Sequence, residues 1–199
     1  MMSKSGKAID NLAIAVHRNT DGALDRLVRT YQDRLFSYAW RLAGNAFDAQ
    51  EITQDAFLRA YRALTTSYDE AKCAALVLGP WLYRITRNLA HNRRRSRRSR
   101  REVPIEESGD GHVDLMPCPP EAARSLEATE QTRMLQLALE RLNREGRDVV
   151  LLRFMAEMPY AEIAAIIGAS EASVRGKLFR ALGKLRSALK RTTGGRNAL

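Results

Sequence analysis

Two neighbouring segments of the sequence carry opposite charges at helical spacing. In the first, DAQEITQDAFLRAYRAL, the carboxylates of Asp48, Glu51 and Asp55 share one stripe that ends in Leu58. Such a stripe suits a basic protein surface, although carboxylates near a helix N-terminus can also simply face water, where the macrodipole favours them. In the second, PWLYRITRNLAHNRRR, side chains that reach phosphates and base edges recur on one side: Arg84, Asn88, His91, Asn92 and Arg95. The two segments therefore predict one helix for a protein partner and one for nucleic acid.

Apolar residues at the same spacing predict the elements that position these side chains. The first segment carries the core set Ala49, Ile52, Ala56, Ala60 and Leu64, and the second carries Leu82, Ile85 and Leu89. The repeat upstream comprises Leu24, Leu27, Val28, Tyr31, Leu35, Tyr38 and Leu42. Trp81 and Tyr83 are residues of a kind that lies more often in a core than in a stacking site, and we expect Trp81 to lie in the core. The chain from Ala8 to about Asn92 is thus predicted to form a helical domain.

The composition indicates a globular protein with a polyanionic partner. Apolar residues make up 45% of the 199 residues, which is enough for real cores, and the formal net charge is +10. Charge alone does not separate nucleic acid from an anionic membrane surface. Membrane insertion is not expected, because no apolar run approaches the roughly 20 residues that span a bilayer. The N-terminus lacks a signal-peptide core, so we expect a cytoplasmic protein.

No catalytic or metal site is indicated, and no cofactor is expected. The two cysteines, Cys73 in a predicted loop and Cys118 in a predicted linker, show neither CxxC nor Cys/His spacing. They are interpreted as structural or incidental thiols, with a redox bridge as the minor alternative. The three histidines, His17, His91 and His112, are not grouped with carboxylates or nucleophiles. A nucleic-acid enzyme is therefore disfavoured.

The charge reverses sharply after the second segment. Seven of the nine residues 93–101 are arginine, and five acids follow: Glu102, Glu106, Glu107, Asp110 and Asp114. Four prolines and two glycines between 104 and 120 oppose a regular helix there. This stretch is predicted to be a flexible acidic linker. Its carboxylates either mimic the phosphates of a nucleic acid in a basic channel, or they merely solvate a tether.

Helical periodicity returns from Ser125 to about Arg191 and predicts four helices. Within it, YAEIAAII is followed by Gly168, Ala169 and Ser170, where the glycine can stop one helix and the serine can cap the next. This is a helix-turn-helix arrangement. The second helix is expected to bury Val174, Leu178, Ala181, Leu185 and Leu189 and to present Ser173, Arg175, Lys177, Arg180 and Lys184 to a major groove. Residues 171–199 hold eight basic residues and one acid, which favours phosphate contact. A helical pair with a solvated basic face is the alternative.

These residues resemble the sigma-70 family of bacterial RNA polymerase sigma factors, in its small extracytoplasmic-function (ECF) group, over about Asp21 to Leu189. The two segments above resemble region 2, the promoter-melting domain. LNREGRDVVLLRFMAEMPYAEIAAIIGASEASVRGKLFRALGKLR resembles region 4, which reads the upstream promoter element. The order and spacing of the two blocks are specific, whereas a helix-turn-helix alone is shared with many regulators. The resemblance implies an all-α protein of two small helical domains.

The resemblance also assigns partners to individual residues. It implies docking of region 2 on the coiled coil of the polymerase β′ subunit through Asp48, Glu51, Gln54, Asp55 and Leu58. It implies contact with the non-template strand of the minus-10 element, including a flipped base, by Arg59, Ala63, Tyr68, Arg84, Asn88, Asn92 and Arg95. It implies minus-35 contacts by Ser173, Arg175, Gly176, Lys177, Phe179 and Arg180, and binding of region 4 to the β subunit. An anti-sigma protein is a further expected partner.

The predicted domain boundaries follow from these blocks. They are an N-terminal extension (1–20), region 2 (21–98), an acidic linker (99–125), region 4 (126–191) and a tail (192–199). The stretch TTSYDEAKCAALVLGP is longer than the compact loop expected within region 2, and Gly176 replaces the small polar residue usual in the recognition helix. The rival function is a stand-alone helix-turn-helix regulator that binds duplex DNA as a dimer without polymerase.

Overall fold

The computed structural model describes residues 12–101 and 126–194, and every regular element in those two ranges is a helix. The all-α prediction is confirmed for this part of the chain. Two compact units form, Met1–Arg93 and Arg94–Leu199. The predicted linker acids and Cys118 lie outside the described residues.

The N-terminal unit is built from short-range stop and start signals. Its helices are α1 (12–17), α2 (Ala23–Ala43), α3 (Ala46–Arg62), a π-helical turn (Ala63–Ser67), α4 (Glu70–Ala75) and the start of α5 (Leu78–Arg101). Gly44 ends α2 in the left-handed region at φ 86°, where its N–H donates to the carbonyl of Trp40. Asn45 then caps α3 by accepting a hydrogen bond from the Asp48 N–H at 2.8 Å. These signals make α2 and α3 adjacent helices.

The core of the N-terminal unit matches the predicted apolar stripes in most positions. Ala49, Ile52, Ala56, Ala60 and Leu64 are all buried, as are Trp81 and Tyr83. Leu24 differs, since 39% of it is exposed. Leu12, Ala13 and Val16 of α1 are buried too, so the predicted N-terminal extension contributes to this core.

The C-terminal unit contains four described helices, as predicted. They are α6 (Leu126–Glu140), α7 (Arg144–Phe154), α8 (Tyr160–Ile167) and α9 (Glu171–Gly194). Gly168 ends α8 at φ 69°, and the Ser170 hydroxyl accepts a hydrogen bond from the Ser173 N–H at 3.2 Å. Both predicted turn signals are therefore confirmed.

The core of the C-terminal unit joins α9 to the helices before it. Val149, Leu152, Ile163 and Val174 are each fully or almost fully buried. The predicted core position Leu189 is wrong, because 37% of that residue is exposed while Ala188 is buried instead. An α-helix has 3.6 residues per turn, so its buried positions alternate between spacings of three and four residues. After Leu185 the next buried position in α9 is therefore Ala188 and not Leu189.

None of the described helices is both long enough and apolar enough to cross a bilayer.

Candidate nucleic-acid and protein interfaces

The acidic face of α3 is exposed over most of its predicted length. Gln54 and Asp55 are exposed, Glu51 is half-buried, and 53% of Leu58 is accessible. Carboxylates around an exposed leucine give this surface both charge and apolar area. We call the set Glu51, Gln54, Asp55 and Leu58 the acidic face.

Asp48 does not belong to this surface, contrary to the sequence prediction. It is 2% exposed, and its Oδ1 accepts a hydrogen bond from Arg93 Nε at 2.6 Å while its Oδ2 accepts one from Asn45 Nδ2 at 2.8 Å. The same Arg93 guanidinium also pairs with Glu51. Although burial lowers the pKa of Arg93, hydrogen bonds and charge attraction from Asp48 and Glu51 outweigh it, so the pKa is raised overall. Asp48 is therefore a buried ion-pair residue that joins α3 to α5.

Phe47 is a candidate contact residue that the sequence interpretation missed. It is 65% exposed and lies one turn before Glu51 and three turns before Leu58 on α3. Its position around the helix could have identified it from the sequence, because Phe47 falls outside the buried stripe that begins at Ala49. An exposed aromatic beside the acidic face enlarges its apolar component.

The polar side of α5 faces solvent as predicted. Arg84, Asn88, Asn92 and Arg95 are exposed and His91 is half-buried. Leu82 and Leu89 hold the opposite side in the core. This part of α5 thus presents cationic and amide side chains together, which suits contact with phosphates and with unpaired base edges.

The end of α3 and the segment that follows it carry the remaining predicted minus-10 residues. Arg59 is exposed in the last turns of α3, Ala63 is half-buried at the start of the π-helical turn, and Tyr68 follows that turn. The Tyr68 ring lies 5.8 Å from the ring of Trp81, and Lys72 Nζ lies 3.9 Å from the Tyr68 ring centroid. An aromatic ring is therefore placed next to the α5 surface with a cation over it.

This segment is more ordered than a loop, which corrects two predictions. The π-helical turn and α4 occupy 63–67 and 70–75, and Asp69 caps α4 by accepting a hydrogen bond from the Lys72 N–H at 2.7 Å. Cys73, predicted to lie in a loop, is a fully buried residue of α4. The N-cap in the sequence SYDEAKC favours a short helix in this segment, and the loop prediction overlooked that cap.

We expect the Cys73 thiol to be unreactive in the folded protein. Burial, followed by the nearby carboxylates of Asp69 and Glu70, raises its pKa and disfavours the nucleophilic thiolate, against a smaller opposing effect of Lys72. Alkylation by iodoacetamide, located by peptide mass spectrometry, should be at least about 100-fold slower at Cys73 in native protein than in urea. Rapid native labelling would instead support the redox alternative.

The recognition helix α9 presents its predicted residues unequally. Arg175 and Arg180 are exposed, and 80% of Phe179 is accessible. A Cβ added to Gly176 would meet only the Arg180 side chain at 3.9 Å, so no packing within the described structure requires glycine there. Gly176 is half-buried, and the space beside it would accept a small side chain.

Three of the predicted minus-35 residues, Ser173, Arg175 and Lys177, make side-chain contacts within the protein. Lys177, whose side chain is 20% exposed, lies 3.4 Å from the Glu145 carboxylate and donates a hydrogen bond to the Ser173 hydroxyl at 2.8 Å. Arg175 pairs with Glu171 at 3.1 Å and lies 5.1 Å from the Tyr160 ring centroid. Arg175 thus contacts the first residues of α9 and of α8, whereas Lys177 connects α9 to α7.

No group of three or more histidine, cysteine or acidic residues that could hold a metal ion occurs within 12–101 or 126–194.

Two family models match the chain. The model described as Sigma-70 region 2 matches residues 27–100, and the model described as Sigma-70, region 4 matches residues 132–185. The first range contains the acidic face and the polar side of α5, and the second contains the helix-turn-helix.

Curated relatives agree with these matches. The chain is 33% identical over 168 residues to the RNA polymerase sigma-E factor of Streptomyces coelicolor, which covers 83% of this chain and 85% of that protein. It is 32% identical over 168 residues to the ECF RNA polymerase sigma factor SigE of Mycolicibacterium smegmatis, with 83% of this chain covered. The chain spans 61% of the length of that relative, and 40% and 58% of two others.

A solved structure has a similar fold. It is the sigma factor RpoE in complex with the anti-sigma factor NepR from Bartonella quintana, with a TM-score of 0.61 and 20% identity. The match covers 85% of this chain and 98% of the other. At this identity the likeness shows the fold.

Proposed function

This chain belongs to the sigma-70 family of RNA polymerase sigma factors, in the group of ECF sigma factors, and we propose that it directs promoter-specific transcription initiation. The observation that carries the proposal is the pairing, in one chain, of an acidic helix face and a cationic helix face in region 2 with a basic recognition helix in region 4. In this proposal the polymerase performs the chemistry and the chain supplies recognition. The predicted domain boundaries belong to the same proposal.

The acidic face is proposed to dock on the β′ coiled coil of core polymerase. Asp55 and Glu51 supply negative charge for a basic coiled coil, and Leu58, with Phe47 beside it, supplies apolar area. Asp48 contributes indirectly, because it holds Arg93 and thereby the neighbouring helix. Region 4 is proposed to bind the β subunit.

Charge reversal on this face should weaken polymerase binding strongly. We expect Asp55→Arg combined with Leu58→Ala to raise the Kd for core polymerase by about 30-fold or more, because both a charge contact and a buried apolar contact are lost. Fluorescence anisotropy with labelled full-length protein measures this change. Asp33→Arg, which reverses an exposed carboxylate on α2, is the matched control and should change the Kd little. Equal effects of the two variants would contradict the assignment.

The cationic side of α5 and the segment from Arg59 to Tyr68 are proposed to hold the melted minus-10 strand. Asn88 and Asn92 can hydrogen-bond an unpaired base, and Arg84 and Arg95 can neutralise phosphates. Stacking on Tyr68 would repay roughly 1–3 kcal/mol of the stacking energy that a flipped base loses. Binding energy of this kind can melt DNA without hydrolysis of ATP.

The minus-35 element is proposed to be read by α9. In this proposal the exposed Arg175 and Arg180 donate paired hydrogen bonds to guanine or grip phosphates, and the exposed Phe179 touches a thymine methyl or a sugar. Ser173, Gly176 and Lys177 lie on the same part of the helix. The contacts of Lys177 with Glu145 and Ser173 suggest that it positions α9 as well as attracting phosphate.

An anti-sigma protein is proposed as a regulatory partner. The fold is similar to that of a sigma factor solved with its anti-sigma factor. An exposed face that binds polymerase through charge and apolar contacts is also one that a competing protein can cover.

Run-off transcription with purified core polymerase on a randomised promoter library tests the proposed function. We expect transcripts from templates that share minus-35 and minus-10 elements, and none without the added protein. Gel shifts on a selected promoter, with and without core polymerase, distinguish a sigma factor from a stand-alone helix-turn-helix regulator. Tight binding of duplex DNA by a dimer in the absence of polymerase would favour the stand-alone regulator.

A further inference from the structure

We propose that His17 and Arg18, at the end of α1, are positioning residues for the segment that receives the flipped minus-10 base. This inference rests on the proposed function of that segment. Both residues precede the range 27–100 that the region 2 model matches. They lie in the part of the chain that the sequence interpretation treated as an extension.

Helix α1 has a fixed place in the N-terminal unit. Leu12 is 8% exposed, Ala13 is fully buried, and Val16 is 1% exposed. Burying these side chains gives the short helix the tertiary support that its length alone cannot provide. The two residues that follow Val16 are therefore presented at a defined position.

His17 caps the π-helical turn. Its Nδ1 lies 2.7 Å from the carbonyl oxygen of Leu64, and because a carbonyl only accepts, Nδ1 must carry the proton that is donated. Carbonyls in the last turn of a helix lack backbone donors and need such partners. The turn itself is an i→i+5 helix closed by the Tyr68 N–H donating to the Ala63 carbonyl at 2.9 Å. His17 thus holds the backbone just before Tyr68.

Arg18 holds the backbone just after Tyr68. Its Nε donates to Glu70 Oε2 at 3.1 Å and its Nη2 donates to Glu70 Oε1 at 2.5 Å, a two-point contact with the first residue of α4. The paired geometry fixes direction as well as distance. Both side chains are more than half exposed, so the contact contributes orientation more than stability.

The two contacts bracket the ring that would stack on the base. Leu64 and Glu70 are four residues before and two residues after Tyr68, whose ring lies against Trp81 and under Lys72. Fixing both sides of so short a segment limits where that ring can move. Losing either contact should therefore loosen base discrimination while leaving the acidic face, and hence polymerase binding, unchanged.

A charge-swap experiment tests the inference in the full-length chain with core polymerase. The templates are four selected promoters that differ only at the unstacked minus-10 base, and the readout is the ratio of open-complex formation between the preferred and other bases. We expect Arg18→Glu and Glu70→Arg each to lower this ratio about two- to fivefold. The double variant R18E/E70R should restore it. His17→Leu should lower the ratio as well, and His17→Gln, which keeps a donor, should lower it less.

Matched controls separate positioning from general stability. Arg29→Glu disrupts a comparably exposed pair, with Asp25 at 3.0 Å within α2, and should leave the ratio unchanged. An unchanged ratio in R18E with a lowered melting temperature, no rescue in the double variant, or an equal effect of R29E would each overturn the inference. Wild-type protein that initiates at no promoter would instead defeat the proposed function, and this inference with it.

Discussion

Replacing Arg93 with methionine is expected to lower the free energy of unfolding of the N-terminal unit by about 3 kcal/mol, because it removes the Arg93 cation from the buried Asp48 carboxylate. Asp48 would keep the hydrogen bond from Asn45 Nδ2 at 2.8 Å. Both tryptophans of the chain, Trp40 and Trp81, lie in this unit, so their fluorescence in a urea titration reports its unfolding selectively.

Two further variants identify the cause of that loss. Arg95→Met removes an exposed arginine from the same helix and should change stability by less than about 0.5 kcal/mol. Asp48→Asn added to Arg93→Met removes the carboxylate charge that Arg93 neutralised and should recover part of the loss. Equal destabilisation by the Arg93 and Arg95 variants would show that the bridge between α3 and α5 is not a stabilising contact.

The second large effect is expected at the minus-35 element. Arg175→Ala should lower open-complex formation on the preferred promoter about 5- to 150-fold, the equivalent of 1–3 kcal/mol for a lost bidentate contact with a base. It should also abolish the preference at the base pair that Arg175 contacts, because alanine cannot form hydrogen bonds with a base. The variant should therefore initiate equally well on the preferred template and on a template substituted at that base pair. Glu171 and Tyr160 hold this guanidinium before DNA arrives, so little ordering cost opposes the contact.

Promoters with single substitutions in the minus-35 element measure this effect. Arg186→Ala is the control, because it removes an exposed cation farther along α9 and should weaken binding about equally on every template. For Arg186→Ala, the slope of the logarithm of the binding constant against the logarithm of the salt concentration should decrease by the equivalent of about one phosphate contact. If Arg175→Ala also weakens all templates equally, Arg175 grips phosphate rather than reading a base.

Features set by neighbouring residues were predictable from the sequence. Gly168 and Ser170 act within one turn of their own positions, so the helix-turn-helix follows from local chemistry. The burial of Ile52 and Ala56 against the exposure of Gln54 and Asp55 follows from the helical period alone. The two family models match the chain in the same order as the two predicted blocks, so the family could also be predicted from the sequence.

Errors arose where a residue's environment depends on a distant segment. Periodicity placed Asp48 on the acidic stripe, but its carboxylate is buried and pairs with the guanidinium of Arg93, which is 45 residues away in the sequence. The sequence interpretation placed Cys73 in a loop, but the cap at Asp69 begins a helix in which Cys73 is buried. Helical phase likewise did not indicate that Lys177 Nζ lies 3.4 Å from the Glu145 carboxylate of α7.

The sequence by itself determined most of the helices, the Gly168 and Ser170 turn signals, the charge of each exposed face and the family, because each depends on residues within a few positions of one another or on the order of motifs. Only the tertiary structure decided which charged side chains serve the fold. Arg93 with Asp48 and Arg18 with Glu70 are pairs separated by 45 and 52 positions, and His17 reaches Leu64 across 47. Which distant groups meet depends on how the helices pack, and a one-dimensional pattern of charges does not contain that geometry.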